Sequence, residues 1–171
     1  KKWSFAKPGR LRHALNWWPP FLFSGIKITE ISADYRYCKV ILKDWPGTKN
    51  ANGTQFGGSL FAMTDPIYSL MLMGLLGKRY FVWDKSAHID FQKPGTGQVE
   101  VECRIDDAFL TAIREHTAAG EKYLPQVVDE IKDAKGNVVA TVSRTLYVRL
   151  KPAFRPDAAA TALCARPRSR L

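Results

Sequence analysis

Between residues 57 and 76, apolar side chains fall at Leu60, Phe61, Met63, Ile67, Leu70, Met71, Met73 and Leu75, which covers nearly the whole circumference of a helix. A helix without a polar face has to be wrapped by other structure. The flanking segments supply the wrapping. Residues 25–32 and 35–43 are rich in Ile, Tyr and Val and read as two strands joined at Ser32-Ala33-Asp34. Residues 80–92 and 98–105 read as two more, separated by Pro94-Gly95 and Gly97. Residues 126–133 and 137–150 form a hairpin around Lys135-Gly136-Asn137. A short helix is predicted over 9–16, stopped by Pro19-Pro20. A longer one starts at a cap on Asp106 or Asp107 and runs to about residue 119, with Gly120 as its stop. The pattern is α+β in one unit. Residues 1–150 read as a single domain with a basic N-terminal arm and the short helix inside 1–20, whereas 151–171 lose periodicity around Pro152, Pro156 and Pro167 and read as a tail.

With 171 residues, 46% of them hydrophobic and 12% aromatic, the chain can bury one sizeable core, and disorder of the whole is excluded. Its formal charge of +10 invites a nucleic-acid reading, but the charge is unevenly placed. Lys1, Lys2, Lys7, Arg10 and Arg12 carry +5 before residue 13, and Lys151, Arg155, Arg166, Arg168 and Arg170 less Asp157 carry +4 after residue 150. The body between them carries only +1. No helix-turn-helix, zinc-finger spacing or aromatic RNA-binding signature accompanies the basic ends, so nucleic acid is not expected as a partner.

Cys38, Cys103 and Cys164 are odd in number and unrelated in spacing, and His13, His88 and His116 are scattered. Neither a disulfide framework nor a metal site is expected, no cofactor motif is present, and a reducing, cytoplasmic setting fits best. No apolar leader precedes a small-residue cleavage site, and the apolar run Leu60 to Leu76 is interrupted by Asp65-Pro66. Asn16-Trp17-Trp18-Pro19-Pro20-Phe21-Leu22-Phe23 offers a peripheral membrane contact as one reading. The reading favoured here is that the two tryptophans pack over the end of the sheet.

Candidate chemistry gathers at the start of the apolar helix. A glycine-rich turn, Asn50 to Gly58, runs into it, and Asp65 stands two turns inside. Free N–H groups at Gly57-Gly58 suit a developing oxyanion, and a carboxylate on an apolar helix is costly to bury. Gly58 and Asp65 lie seven residues apart, about 10 Å along a helix axis, too far for one helix to bring both to a single carbonyl. A second subunit would close that gap.

Asn50-x-x-Gly53-x-x-Phe56-Gly57-Gly58 followed by Asp65 is similar to the Asn-x-x-Gly-x-x-His-Gly-Gly…Asp motif of the phenylacetyl-CoA-thioesterase-like branch of hotdog acyl-CoA thioesterases. Ile89-x-Phe91-x-x-Pro94-Gly95 resembles the strand that leaves the helix in that branch. Trp17-x-Pro19-Pro20-Phe21, Phe56-Gly57-Gly58-Ser59-Leu60, Val82-Trp83-Asp84-Lys85 and Lys122-Tyr123-Leu124-Pro125 resemble a subfamily of uncharacterised hotdog proteins grouped with the thioesterases. The resemblance covers about residues 15–150. It implies a hotdog fold, with an antiparallel sheet around one long central helix at about 57–76 and an extra helix near 107–119.

The same resemblance implies that Asp65 is general base or nucleophile towards an acyl-CoA thioester, that the Gly57 N–H polarises the carbonyl, and that Asn50 positions the reacting groups. It implies a homodimer or tetramer whose sites form between subunits. Phe56, Gly58 and Asp84 then fall on the substrate side. Two positions depart from the branch. Phe56 replaces the motif histidine and cannot donate a hydrogen bond, and Asp84 stands near a position usually Ser or Thr, where it would repel Asp65. Strand alternation sends Asp84 and Lys85 to opposite faces, and the sequence leaves open which faces the site. The expected activity is thioester hydrolysis, with a non-catalytic acyl-CoA or acyl-lipid binding protein as the alternative.

Overall fold

The computed structural model describes residues 7–156. The chain order is α1 (Pro8–Asn16), α2 (Pro19–Phe23), β1 (Ile26–Ile31), β2 (Tyr37–Leu42), α3 (Gly57–Ala62), α4 (Ile67–Leu76), β3 (Tyr80–Phe91), β4 (Val99–Arg104), α5 (Asp107–Thr117), β5 (Gln126–Asp133) and β6 (Val138–Leu150). The six strands form one antiparallel sheet in the order β1-β2-β4-β5-β6-β3. One face wraps α3 and α4, and the core is built where they meet: Leu60, Met63, Ile67, Met71 and Leu72 against Val40, Val101, Val142, Leu146 and Val148. This is the hotdog architecture that the motifs imply.

The apolar helix is not continuous. Pro66 has no N–H to give to Ala62, and residues 63–66 form turns between α3 and α4. The Asp65 N–H bonds the Ala62 carbonyl at 3.1 Å, a tighter span than the helical one, and the Asp65-Pro66 peptide is cis. By length and apolar character alone, Gly57–Arg79 would suffice to cross a membrane. In the fold it is the element the sheet encloses.

Three local expectations change. Pro19-Pro20 does end α1, but the two prolines then occupy the first turn of α2, where their missing N–H groups cost nothing. The tryptophan pair divides: Trp18 packs on Phe21 with ring centroids 5.4 Å apart, while Trp17 remains 66% exposed. The start of the expected tail folds back. Lys151 N–H bonds Arg79 O at 2.9 Å, Pro152–Phe154 forms a 3-10 turn, and Arg155 Nε bonds Leu150 O at 2.8 Å. The rest of that tail lies outside the described residues, as do Lys1, Lys2 and Cys164.

The other elements follow the local chemistry. Asp106 caps α5, accepting from Phe109 N–H at 2.7 Å, and Gly120 beyond it takes a φ of +86°, where a side chain would be strained. β3 is the last strand of the sheet, so one edge of its 12 residues is unpaired among the described residues.

Candidate active site

The loop before α3 is braced by its own side chains. Asn50 Oδ1 accepts from the N–H groups of Asn52 at 3.0 Å and Thr54 at 3.2 Å, while its Nδ2 donates to Thr54 Oγ1 at 2.9 Å. Gln55 ties the end of the loop to its neighbours, donating from Nε2 to Lys43 O at 3.1 Å and Gly97 O at 2.7 Å. These bonds set the place from which Phe56 and Gly57 enter the helix. Asn50 therefore orders the backbone here.

Aromatic rings stand over both Gly57 and Gly58. A Cβ on Gly57 would lie 2.9 Å from Phe91 Cζ, and one on Gly58 would overlap the ring of Phe56. The N–H groups of both glycines are without a hydrogen-bond partner among the described residues, as expected for the first turn of a helix. Phe56 is exposed, and it lines a cavity of about 380 Å³ together with Phe23, Thr48, Lys49, Gly58 and Ser59.

Asp65, at the turn between α3 and α4, meets a residue that sequence reasoning passed over. Arg144, on β6, is only 2% exposed. Its Nε and Nη2 donate to Thr64 Oγ1 at 3.2 and 2.8 Å, and Nη2 also reaches the Phe61 carbonyl at 3.2 Å. Nη1 is shared by two carboxylates, Asp84 Oδ2 at 2.7 Å and Asp65 Oδ1 at 3.3 Å. A signal for it did exist. Val142, Arg144, Leu146 and Val148 alternate in the buried phase of β6, and an arginine in that phase needs buried acceptors.

The structure settles which of Asp84 and Lys85 faces the helix. Register slips between Asp84 and Ser86, leaving Lys85 exposed at a bulge and Asp84 turned inward. Asp84 is 17% exposed and has both oxygens engaged, one by Arg144 and the other by the hydroxyl of Ser69. Asp65 differs: its side chain is 52% exposed and only Oδ1 is held. Partial burial pushes the Asp65 carboxyl above the ordinary aspartate value and nearby Asp84 adds to this, while Arg144 opposes it. The site thus offers one carboxylate with a free oxygen.

A second acid lies deeper. Asp129 on β5 is buried, accepts from Tyr68 Oη at 2.9 Å and faces the Cys103 thiol at 3.9 Å. Burial raises it to about 6. Among the described residues no cluster of His, Cys, Asp and Glu could hold a metal ion.

The family model described as "Domain of unknown function (DUF4442)" matches residues 10–148. The chain belongs to this family. No curated protein matches it. Among solved structures, this DUF4442 chain is similar to PA5026 of Pseudomonas aeruginosa, described as a probable thioesterase. The identity is 21% and the TM-score 0.74, over 84% of this chain and 97% of that one. It is also similar to the thioesterase HI1161 of Haemophilus influenzae, at 16% identity and a TM-score of 0.62, covering 88% and 93%. The PaaI protein of E. coli, from its phenylacetic acid degradation operon, matches at 17% identity and a TM-score of 0.59, covering 86% and 97%. At these identities the likeness establishes the hotdog fold.

Proposed function

We propose that this protein hydrolyses an acyl-CoA or related acyl thioester, with Asp65 as the reacting carboxylate. The observation that carries this reading is the asymmetry of the two acids on Arg144: Asp84 has both oxygens engaged, whereas Asp65 is half-exposed and held by Arg144 through one oxygen only. In the base-catalysed form, Asp65 takes a proton from a water that attacks the thioester carbon. The Gly57 N–H holds the developing oxyanion, and the C–S bond breaks as the sulfur leaves and takes up a proton. Acid and thiol are the products. The raised affinity of Asp65 for protons makes it a stronger base than an exposed aspartate.

Asn50 supports the site by ordering the loop that delivers Gly57. Phe56 and Gly58 line the cavity beside it and fit an apolar part of the substrate. Asp84 contributes through Arg144 and Ser69. Gly57 begins α3 and Asp65 follows it, so a homodimer or tetramer would bring the helix start of one subunit to the carboxylate of another. The open edge of β3 supports such pairing. A cytoplasmic setting belongs to the same reading, since the three cysteines are odd in number and unrelated in spacing.

Phe56 favours one alternative, a non-catalytic acyl-CoA or acyl-lipid binding protein. Its ring lines the cavity where the related motif has a hydrogen-bonding histidine. The deciding experiment follows thiol release from a panel of acyl-CoAs of varied chain length by the wild type and Asp65→Asn. Turnover that falls by ~10²- to 10⁴-fold in a folded variant is expected. Binding without turnover on every acyl-CoA, undiminished by Asp65→Asn, would move the protein to the alternative.

A further inference from the structure

Two carboxylates on one guanidinium nitrogen pose a charge problem. Arg144 Nη1 has two N–H bonds, and the shorter contact goes to Asp84 at 2.7 Å against 3.3 Å for Asp65. Its remaining nitrogens are spent on Thr64 and Phe61 O, which pin the guanidinium between β6 and the break in the helix. The acids compete for one positive charge, and the better-held competitor has no free oxygen.

We infer that Asp84 sets the charge of Asp65 both directly and through Arg144: it repels the neighbouring carboxylate, and by taking the larger share of the guanidinium it leaves Asp65 weakly paired. Asp84 and Arg144 are then positioning residues for Asp65. This deepens the proposed function, in which Asp65 reacts, but the coupling stands or fails separately from any turnover. The charged groups acting on Asp65 are Arg144 from β6 and Asp84 from β3. Arg144 also acts on Asp129 from β5 and Cys103 from β4, which with Tyr68 from α4 form a buried cluster joined through Asp129. The neutral hydroxyls of Thr64 and Ser69 complete the surroundings.

The coupling makes two substitutions move one group in opposite directions. Without the Asp84 charge, Arg144 turns wholly to Asp65 and a repelling neighbour is gone. In Asp84→Asn the midpoint of Asp65 should therefore fall by about one pH unit. Arg144→Gln leaves two carboxylates facing each other without a cation, and the midpoint should rise by about one pH unit or more.

The test is a carboxyl-carbon NMR titration of the aspartate-labelled full chain, with the Asp65 signal assigned by its loss in Asp65→Asn. Opposite displacements in the two variants support the inference. Midpoints that move the same way, or stay within about 0.3 of a pH unit of the wild type, overturn it. Arg144→Lys retains the charge and should titrate near the wild type; a rise equal to that expected of Arg144→Gln would also overturn it. Should Arg144→Gln fail to fold, Asp84→Asn and Arg144→Lys decide. In a chain that hydrolyses thioesters, the acid limb of the pH–rate profile should move with the same midpoints. A chain that shows the coupling without turnover refutes the proposed function alone.

Discussion

The ring of Tyr35 occupies the space where a side chain on Gly74 would stand, with Cγ, Cδ1 and Cδ2 at 2.6, 2.7 and 2.8 Å from an ideal Cβ. Tyr35 lies in the turn between β1 and β2 at a φ of +61°, is 9% exposed, and leaves its hydroxyl buried without a hydrogen-bond partner. Gly74→Ala would gain about 1 kcal/mol in helix propensity. The contact is with the base of a buried ring, so overpacking should outweigh that gain and destabilise by roughly 1–3 kcal/mol before it is offset. Chemical denaturation of Gly74→Ala should show a net loss.

The same ring gives a prediction of opposite sign. Tyr35→Phe removes a buried hydroxyl that has no partner, and stability should rise by about 1 kcal/mol. A fall in the denaturation midpoint would mean that the hydroxyl is satisfied in solution.

Asp129 should make stability depend on pH. Its native value of about 6 lies above the ordinary aspartate value, so the native state holds the proton more tightly than the unfolded chain. This contribution is fully present below the unfolded value and is lost as pH rises through about 6, a change of about 3 kcal/mol in all. In Asp129→Asn that component should vanish, and the variant should gain on the wild type as pH rises from 4 to 8. Paired urea titrations across this range measure it. Parallel curves would mean that Tyr68 and Arg144 keep Asp129 ionised.

Phe56→His introduces a hydrogen-bond donor and acceptor at the mouth of the cavity. Phe56 is exposed, so stability should change by less than about 0.5 kcal/mol. Thioester turnover should hold or rise. A loss of turnover with unchanged folding would show that the aromatic wall, and no missing donor, is what the substrate needs.

Oligomeric state tests the arrangement between subunits. Sedimentation at micromolar concentration should show a dimer or larger, with an interface that includes β3 and the ends of the α3–α4 segment. A monomer that still turned over thioesters would remove the reason for a shared site.

The enclosed helix, the strands and a cap at Asp106 or Asp107 were legible in the sequence because they follow from local chemistry. Apolar residues around a whole helix leave no face for water, alternation marks half-buried strands, and caps satisfy N–H groups within a few residues. The glycine-rich turn and Asp65 were legible for the same reason, as neighbours along the chain. What the sequence could not determine depends on residues far apart in it. Arg144 follows Asp65 by 79 positions and Asp84 by 60, so only the pairing of β3 with β6 and the crossing of the helix break bring the three together. The facing of Asp84 turned on a bulge at Lys85, where one extra residue reverses the alternation from which side-chain direction is read. The break at Pro66 was foreseeable as a lost hydrogen bond. Its use, opening Phe61 O and Thr64 to a buried guanidinium, required the opposite strand to arrive with its arginine in the buried phase.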